Sequence, residues 1–195
     1  MYKHLRSGKI QAMKRTTFLL LLLTATLFAF QADNFIPYKE SRRLTWDDYK
    51  GPADAASPYQ AKTESTLNIE VSAKGAEATI TMQTYFDKSK SWVKTRRDDL
   101  LQHEQTHFDI AELWARKFRQ RIKGKTFPIA TFQATLNSMH ADIRKEGHAM
   151  QAEYDKETEH SVNAAAQKKW TQKINADLKS LSEFAAPAVT CKLSK

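Results

Sequence analysis

The nine residues from position 100 to position 108, Leu-Leu-Gln-His-Glu-Gln-Thr-His-Phe, decide how the rest of the chain is interpreted. They lie in a pattern of apolar residues at three- and four-residue steps, which predicts a helix from about residues 94–98 to residue 123. At about 100° per residue, His103 and His107 lie about 40° apart on this helix, one turn from each other. Glu104 lies beside both histidines, and the apolar stripe runs along the same face. We therefore expect a half-buried group of two imidazoles and one carboxylate.

This spacing is the His-Glu-x-x-His pattern of zinc hydrolases. Two neutral imidazoles can bind Zn²⁺, and the glutamate can take a proton from a zinc-activated water. A catalytic zinc needs three protein ligands and one open position. Asp109 and Glu112 lie about 140° to 200° around the helix from His107, so the helix itself supplies no third ligand.

The remaining patterns predict an α+β fold. Residues 67–71 and 78–82 alternate between apolar and polar and flank a Lys74-Gly75 turn, which predicts an antiparallel hairpin that the first helix can cover. Residues 43–52 predict a short strand or turn. A second helix is predicted from Phe127-Pro128 to about residue 159 and a third from about 161 to 181. The tail, residues 184–195, is predicted to be loosely ordered.

The first 32 residues have the features of a secretory signal peptide. Lys14 and Arg15 precede an apolar run over residues 18–30, and Met13 is a possible alternative start. The run is too short for a comfortable membrane span, although an uncleaved anchor is the alternative interpretation. We expect a single secreted or periplasmic domain over residues 33–195, with no stable membrane span after the signal is removed. The single cysteine, Cys191, excludes an intrachain disulfide.

Charge gives little indication of a nucleic-acid partner. Five of the 31 Lys and Arg residues lie in the predicted signal and no Asp or Glu does, which leaves 26 against 22 and lowers the formal charge from +9 to +4. So small an excess is typical of a mixed solvated surface, and no nucleic acid is expected.

The third ligand must come from a later segment. His140 lies beside the apolar stripe of the second helix, where packing is the commoner role, and His148 faces solvent by its helical position. Residues 154–160, Tyr-Asp-Lys-Glu-Thr-Glu-His, remain as the source.

The chain resembles a bacterial domain-of-unknown-function family described as predicted secreted zinc-dependent proteases. The resemblance rests on the run from 100 to 116, on Leu-Thr-Trp-Asp-Asp-Tyr-Lys-Gly-Pro at 44–52, on Ser-Trp-Val at 91–93, on residues 154–160, and on Gln167 and Trp170. The family resembles the zincin metallopeptidases, which implies a small sheet over the active-site helix and a further helix that brings the third ligand. By the same resemblance, His103 and His107 match zinc ligands and Glu104 matches the general base.

For the third ligand, His160 is favoured over Asp155. An imidazole at a helix break can turn towards a neighbouring helix and complete a three-histidine site, whereas Asp155 could bind zinc itself or orient a ligand histidine. Ser161 stands where a Gly commonly follows this histidine in the family, which leaves the backbone direction open.

The sequence therefore predicts a secreted hydrolase with one Zn²⁺ held by His103, His107 and His160, with Glu104 as general base and a peptide or protein as substrate. Tyr154 is a candidate oxyanion donor, although a packed aromatic is the plainer interpretation. The alternatives are a non-catalytic envelope binding domain that keeps the fold and a structural zinc, and an amphipathic helical envelope protein without metal.

Overall fold

The computed structural model describes residues 33–195, so the predicted signal peptide at residues 1–32 lies outside the described residues. Ile36–Lys195 form one compact unit. Short 3-10 helices lie at Trp46–Asp48 and Ser182–Phe184. In chain order the other elements are β1 (Phe35–Pro37), β2 (Ala61–Lys62), β3 (Ser65–Lys74), β4 (Glu77–Asp87), β5 (Trp92–Val93), α1 (Asp98–Ile122), β6 (Thr126–Pro128), α2 (Phe132–Thr158), α3 (Ala164–Ser180) and β7 (Ala188–Ser194).

The predicted hairpin is confirmed as β3 and β4. The two strands pair antiparallel from Lys74↔Glu77 to Ser65↔Phe86, and Gly75 lies in the turn with φ 63°, a backbone region that Gly enters without steric cost. Because side chains alternate along a strand, Ala78, Ile80 and Met82 share one face, and all three are fully buried.

The hairpin belongs to a mixed sheet of five strands. The order is β1, β4, β7, β6, and β3 also pairs with β4. β7 is antiparallel to β4 and parallel to β6. A separate two-stranded sheet joins β2 to β5 in antiparallel fashion. The α+β class predicted from sequence is confirmed.

Helix α1 lies against the apolar face of this sheet and carries the predicted histidine pair. Asp98 and Asp99 open its first turn, where the positive end of the helix dipole favours carboxylates. Gly124, with φ 70°, follows the end of the helix. The apolar side chains of α1 share a core with the sheet and with α2 and α3: Ile110, Leu113, Trp114, Phe118 and Ile122.

Two predictions about β6 and β7 are wrong. Phe127-Pro128 does not open the second helix but ends strand β6, and α2 begins only at Phe132. The tail is not loosely ordered, because 188–194 form β7, which fills the place between β4 and β6. Val189, Cys191 and Leu193 are buried at alternate positions. This alternation of apolar residues is visible in the sequence and is typical of a strand.

The predicted third helix is confirmed as α3, although it begins at Ala164 rather than near residue 161. Between α2 and α3, the backbone of Glu159, His160 and Ser161 adopts positive φ angles of 50°, 52° and 82°. Non-glycine residues pay a steric cost in this region, so the surrounding contacts must hold the turn. The side chain of Asn163 then caps α3 by accepting from the N–H of Ala166 at 3.1 Å.

Charged side chains fix α1 to its neighbours from within. Arg119 is 1% exposed and donates to the carbonyl oxygens of Met82 and Phe184 and to the carboxylate of Glu112. Arg116 donates to Glu112 and to the carbonyl oxygen of Leu178. Because lone buried charges are costly, these pairs make the position of α1 between sheet and α3 specific.

The predicted strand or turn near residue 46 is the 3-10 helix Trp46–Asp48, which Asp48 closes. Its carboxylate accepts from the N–H of Thr45 at 2.8 Å and from the guanidinium of Arg42 at 2.8 Å. Burial alone raises the pKa of Asp48, but these hydrogen bonds outweigh burial and lower the pKa below its usual value.

Within the described residues, every helix is too short or too polar to cross a membrane.

Candidate metal centre

Three side chains from two helices converge on one point. His103 and His107, one turn apart on α1, bring their Nε2 atoms within 3.1 Å of each other. Asp155, near the end of α2, places Oδ1 3.2 Å from Nε2 of His103 and 2.9 Å from Nε2 of His107. Among the described residues, these three form the one group of metal-ligand side chains whose ligand atoms lie within 4.8 Å of one another.

Two glutamines set the hydrogen-bonding state of the imidazoles. Nδ1 of His103 lies 3.0 Å from Oε1 of Gln167 on α3, and Nδ1 of His107 lies 2.5 Å from Oε1 of Gln151 on α2. An amide oxygen only accepts, so each Nδ1 carries the proton and donates. In a neutral imidazole, this leaves the Nε2 lone pair facing the carboxylate of Asp155.

This arrangement fits a bound cation. Three electron-rich atoms at 2.9–3.2 Å repel one another unless protons or a metal ion lie between them. Ligand atoms about 2.0–2.1 Å from one tetrahedral Zn²⁺ are about 3.3 Å apart, close to the observed separations. The glutamines also provide the outer hydrogen bonds that metal-bound histidines usually have.

The pKa shifts of Asp155 and His107 show which charge the group favours. Burial alone raises the pKa of Asp155, but its hydrogen bonds to His103 and His107 outweigh burial and hold the pKa well below its usual value. Burial alone lowers the pKa of His107, yet the hydrogen bond to Asp155 and the charges of Glu104 and Asp155 raise it overall. Two carboxylates thus favour positive charge at this point.

Glu104 stands beside the group without a hydrogen-bond partner for one oxygen. Its side chain lines the same cleft as His103, His107 and Asp155, although the residue is only 4% exposed. Its Oε2 is buried and accepts no hydrogen bond from any described residue. Since buried polar atoms are usually satisfied, this oxygen is suited to accept a proton or hydrogen bond from a molecule in the cleft.

His160, favoured from sequence as the third ligand, lies outside the group, and Asp155 lies beside the two histidines instead. Helix α2 ends at Thr158, close to the predicted end, so Asp155 still lies within the helix and faces α1. The positive-φ turn then carries His160 outward, where its side chain is 52% exposed and its ring contacts that of Tyr59. Nδ1 of His160 lies 3.7 Å from Oδ1 of Asp155.

Tyr154 is a packing and positioning residue here. It is fully buried, its ring stacks on His103 at a centroid distance of 4.7 Å, and its hydroxyl donates to Oε1 of Gln167 and to the carbonyl oxygen of His103. Burial raises the pKa of its hydroxyl. The phenol therefore holds the imidazole and does not face the cleft.

The other sequence candidates lie apart from the group. His140 stacks on Phe118, which is the packing role expected for it. His148 is exposed and lies on the rim of the cleft. Asp109 is engaged by Arg43, Tyr38 and Gln105, and Glu112 by the buried arginines, so neither acid reaches the histidines.

Sequence reasoning missed the roles of the two glutamines. Gln151 precedes Asp155 by four residues, so both lie on the face of α2 that meets α1, and its Nε2 also donates to the carbonyl oxygen of His107. This spacing was a signal for Gln151. Gln167 was part of the family resemblance, but the local sequence did not assign it to His103, because that contact depends on how α3 packs.

The group opens into a cleft of about 770 Å³. One wall is the segment 58–65, which includes β2, and the other is the end of α2 with the turn that follows. The volume lies within the range of ligand-binding clefts.

Comparison with known proteins shows the family but no function. A family model described as a bacterial protein of unknown function (DUF922) matches residues 41–161, and the chain belongs to that family. The match includes His103, Glu104, His107 and Asp155 and ends before Gln167. No curated protein and no solved structure matches the chain.

Proposed function

We propose that this member of the DUF922 family is an exported zinc-dependent hydrolase that acts on peptides. The observation that carries the proposal is the convergence of His103, His107 and Asp155 at 2.9–3.2 Å in a cleft that Glu104 also lines, with one Glu104 oxygen that has no hydrogen-bond partner among the described residues. Export is proposed from the basic and apolar pattern at the start of the sequence.

The three side chains would hold one Zn²⁺ and leave a position towards the cleft. When bound, zinc supplies a Lewis acid that acidifies water and polarises a carbonyl group. The chain contributes the orientation of its ligands: Gln167 and Gln151 fix both imidazoles with Nε2 towards Asp155, so little reorganisation is needed to bind the ion.

Glu104 would act as the general base. Its buried oxygen takes the proton of the attacking water and passes it to the leaving amine as the peptide bond breaks. No described residue donates a hydrogen bond to this oxygen, so no internal donor competes with the water for it. Peptide substrates are supported by the His-Glu-x-x-His pattern and by the volume of the cleft, about 770 Å³.

A second candidate function is a non-catalytic domain that keeps a structural zinc. It is favoured by one observation, the 3.7 Å between Nδ1 of His160 and Oδ1 of Asp155, since a small shift of the exposed imidazole would add a fourth protein ligand. A site closed by four protein ligands has no position for substrate.

Metal analysis and peptide hydrolysis on the same samples test the proposal. We expect about one zinc per native chain, loss of zinc in His103→Ala and Asp155→Ala, and retention in Glu104→Gln. His148→Ala is the matched control, because this histidine lies on the rim of the cleft but outside the ligand group. Hydrolysis should survive only in native protein and the control.

Two results would contradict the proposal. Native protein without stoichiometric zinc would exclude the metal centre. Zinc that is lost in His160→Ala, together with no hydrolysis of any peptide by native protein, would favour the structural site instead.

A further inference from the structure

The cleft has an apolar part beside the metal ligands. Among the described residues, four large hydrophobic side chains are exposed: Tyr59 (48%), Val71 (42%), Ile129 (59%) and Val162 (73%). Single exposed apolar side chains are common and need no explanation. Tyr59 and Val162, however, both line the cleft, one from each wall.

The ring of Tyr59 is held in place by its surroundings, and the backbone that carries Val162 is held by hydrogen bonds. The ring of Tyr59 packs on the ring of His160 at a centroid distance of 4.9 Å. The ammonium group of Lys94 donates to the carbonyl oxygen of Ser57 at 2.6 Å, which fixes the segment just before Tyr59.

The turn that carries Val162 is fixed in the same way. The N–H of His160 donates to the carbonyl oxygen of Asp155 at 3.0 Å, and the N–H of Asn163 donates to that of Thr158 at 2.9 Å. These bonds hold three successive residues at positive φ. A strained segment that is held so firmly is typical of a binding site, because the apolar wall is ordered before any ligand arrives.

The charged side chains on the wall formed by residues 58–65 are largely paired with each other. Lys62 and Glu64 both line the cleft, and Nζ of Lys62 lies 2.9 Å from Oε2 of Glu64. Paired charges leave this wall with little net field to select a charged ligand. Glu159 is the remaining exposed acid on the rim and defines the rival interpretation, a preference for basic side chains.

We infer that Tyr59 and Val162 form an apolar subsite that selects peptides with a large aromatic or branched apolar side chain next to the bond that is cleaved. This inference rests on the proposed function, because the cleft leads to the metal ligands and its occupant is therefore the substrate. The rings of Tyr59 and His160 offer edge and face contacts to an aromatic side chain, and Val162 offers aliphatic surface.

The test is a set of blocked hexapeptides that differ at one position, with Phe, Leu, Ala, Lys or Asp. Native protein should cleave the Phe and Leu peptides with the highest kcat/KM. Loss of a packing surface in such a pocket changes discrimination by about tenfold or more, so Tyr59→Ser and Val162→Ser should each lower the Phe-over-Asp ratio by about that factor. Ile129→Ser is the control, because this side chain is equally apolar and exposed but lies outside the cleft. Zinc content should be the same in all four proteins.

Binding to zinc-loaded Glu104→Gln separates this inference from the proposed function. Fluorescence anisotropy with labelled peptides measures affinity without turnover. Tighter binding of the Phe peptide that weakens about tenfold in the Tyr59→Ser background supports the subsite even if native protein cleaves nothing, in which case only the proposed function fails. The inference is overturned if neither variant changes the preference in cleavage or binding, or if Lys peptides are preferred and Glu159→Gln removes that preference.

Discussion

Replacing Gln167 by Leu removes the group that orients His103 and leaves every proposed metal ligand in the sequence unchanged. Gln167 is buried on α3, and its Oε1 accepts from Nδ1 of His103 at 3.0 Å and from the hydroxyl of Tyr154 at 2.7 Å. Leu has nearly the same size and shape but no acceptor. The imidazole then loses the bond that keeps Nε2 directed at Asp155.

The effect on zinc affinity follows from the role of such outer hydrogen bonds. Loss of one typically weakens metal binding by about 10- to 100-fold, or about 1.4–2.7 kcal/mol. The metal-free protein should also be less stable. The Tyr154 hydroxyl keeps the carbonyl oxygen of His103 at 3.2 Å, so a single buried donor, Nδ1–H of His103, is left unsatisfied, which costs about 1–3 kcal/mol.

Chelator competition measures the zinc affinity, and urea unfolding in EDTA measures the free energy of unfolding of the metal-free form. Gln167→Glu keeps an acceptor oxygen and should retain at least native affinity. Gln172→Leu, an exposed position on the same helix, is the control for the substitution itself. Zinc affinity within twofold of native in Gln167→Leu would refute the reasoning, since His103 would then need no orienting acceptor.

Three further predictions concern the ligands, the core and acid stability. Asp155→Asn should weaken zinc binding at least about 100-fold while His160→Ala changes it less than about tenfold, as measured by equilibrium dialysis; the reverse order would restore His160 as the third ligand. Arg119→Met should lower the free energy of unfolding by about 3–5 kcal/mol, because it leaves a buried carboxylate and two carbonyl oxygens short of a donor. Arg121→Met breaks the exposed ion pair with Glu146 and, in the same urea titrations, should lower the free energy of unfolding by less than about 1 kcal/mol. Equal losses in the two variants would contradict a special role for the buried Arg119. The pKa of Asp48 is lower in the folded protein than in the unfolded chain, so its carboxylate stabilises the fold fully above about pH 4 and loses this effect as the pH falls through the folded pKa. The free energy of unfolding of Asp48→Asn should therefore be about 1 kcal/mol below that of native protein at neutral pH, and this difference should shrink in acid but not in base.

Local patterns were sufficient for much of the fold. The alternation at 67–71 and 78–82 predicted β3 and β4, and the three- and four-residue steps predicted α1 and most of α2 and α3. The errors arose where pairing between distant segments decided the structure. Strands β6 and β7 are short and depend on each other and on β4, whose sequence lies over 100 residues before β7. A strand of this kind gains its hydrogen bonds only from partners that the local sequence does not identify.

For the candidate site, the sequence by itself predicted that His103, Glu104 and His107 lie together, because the period of a helix places residues one turn apart on one face. It also confined the search for a third ligand to residues 154–160. Only the tertiary structure showed that Asp155, and not His160, lies with the two histidines. That choice depends on where α2 ends and on a turn of three positive-φ residues, which leaves Asp155 facing α1 and directs His160 to the rim. Gln167 likewise contacts His103 only because α3 packs against α1. Helix periodicity depends on residues that are close in sequence. A group of side chains from several helices, with the hydrogen bonds that support it, depends on residues that are distant in sequence.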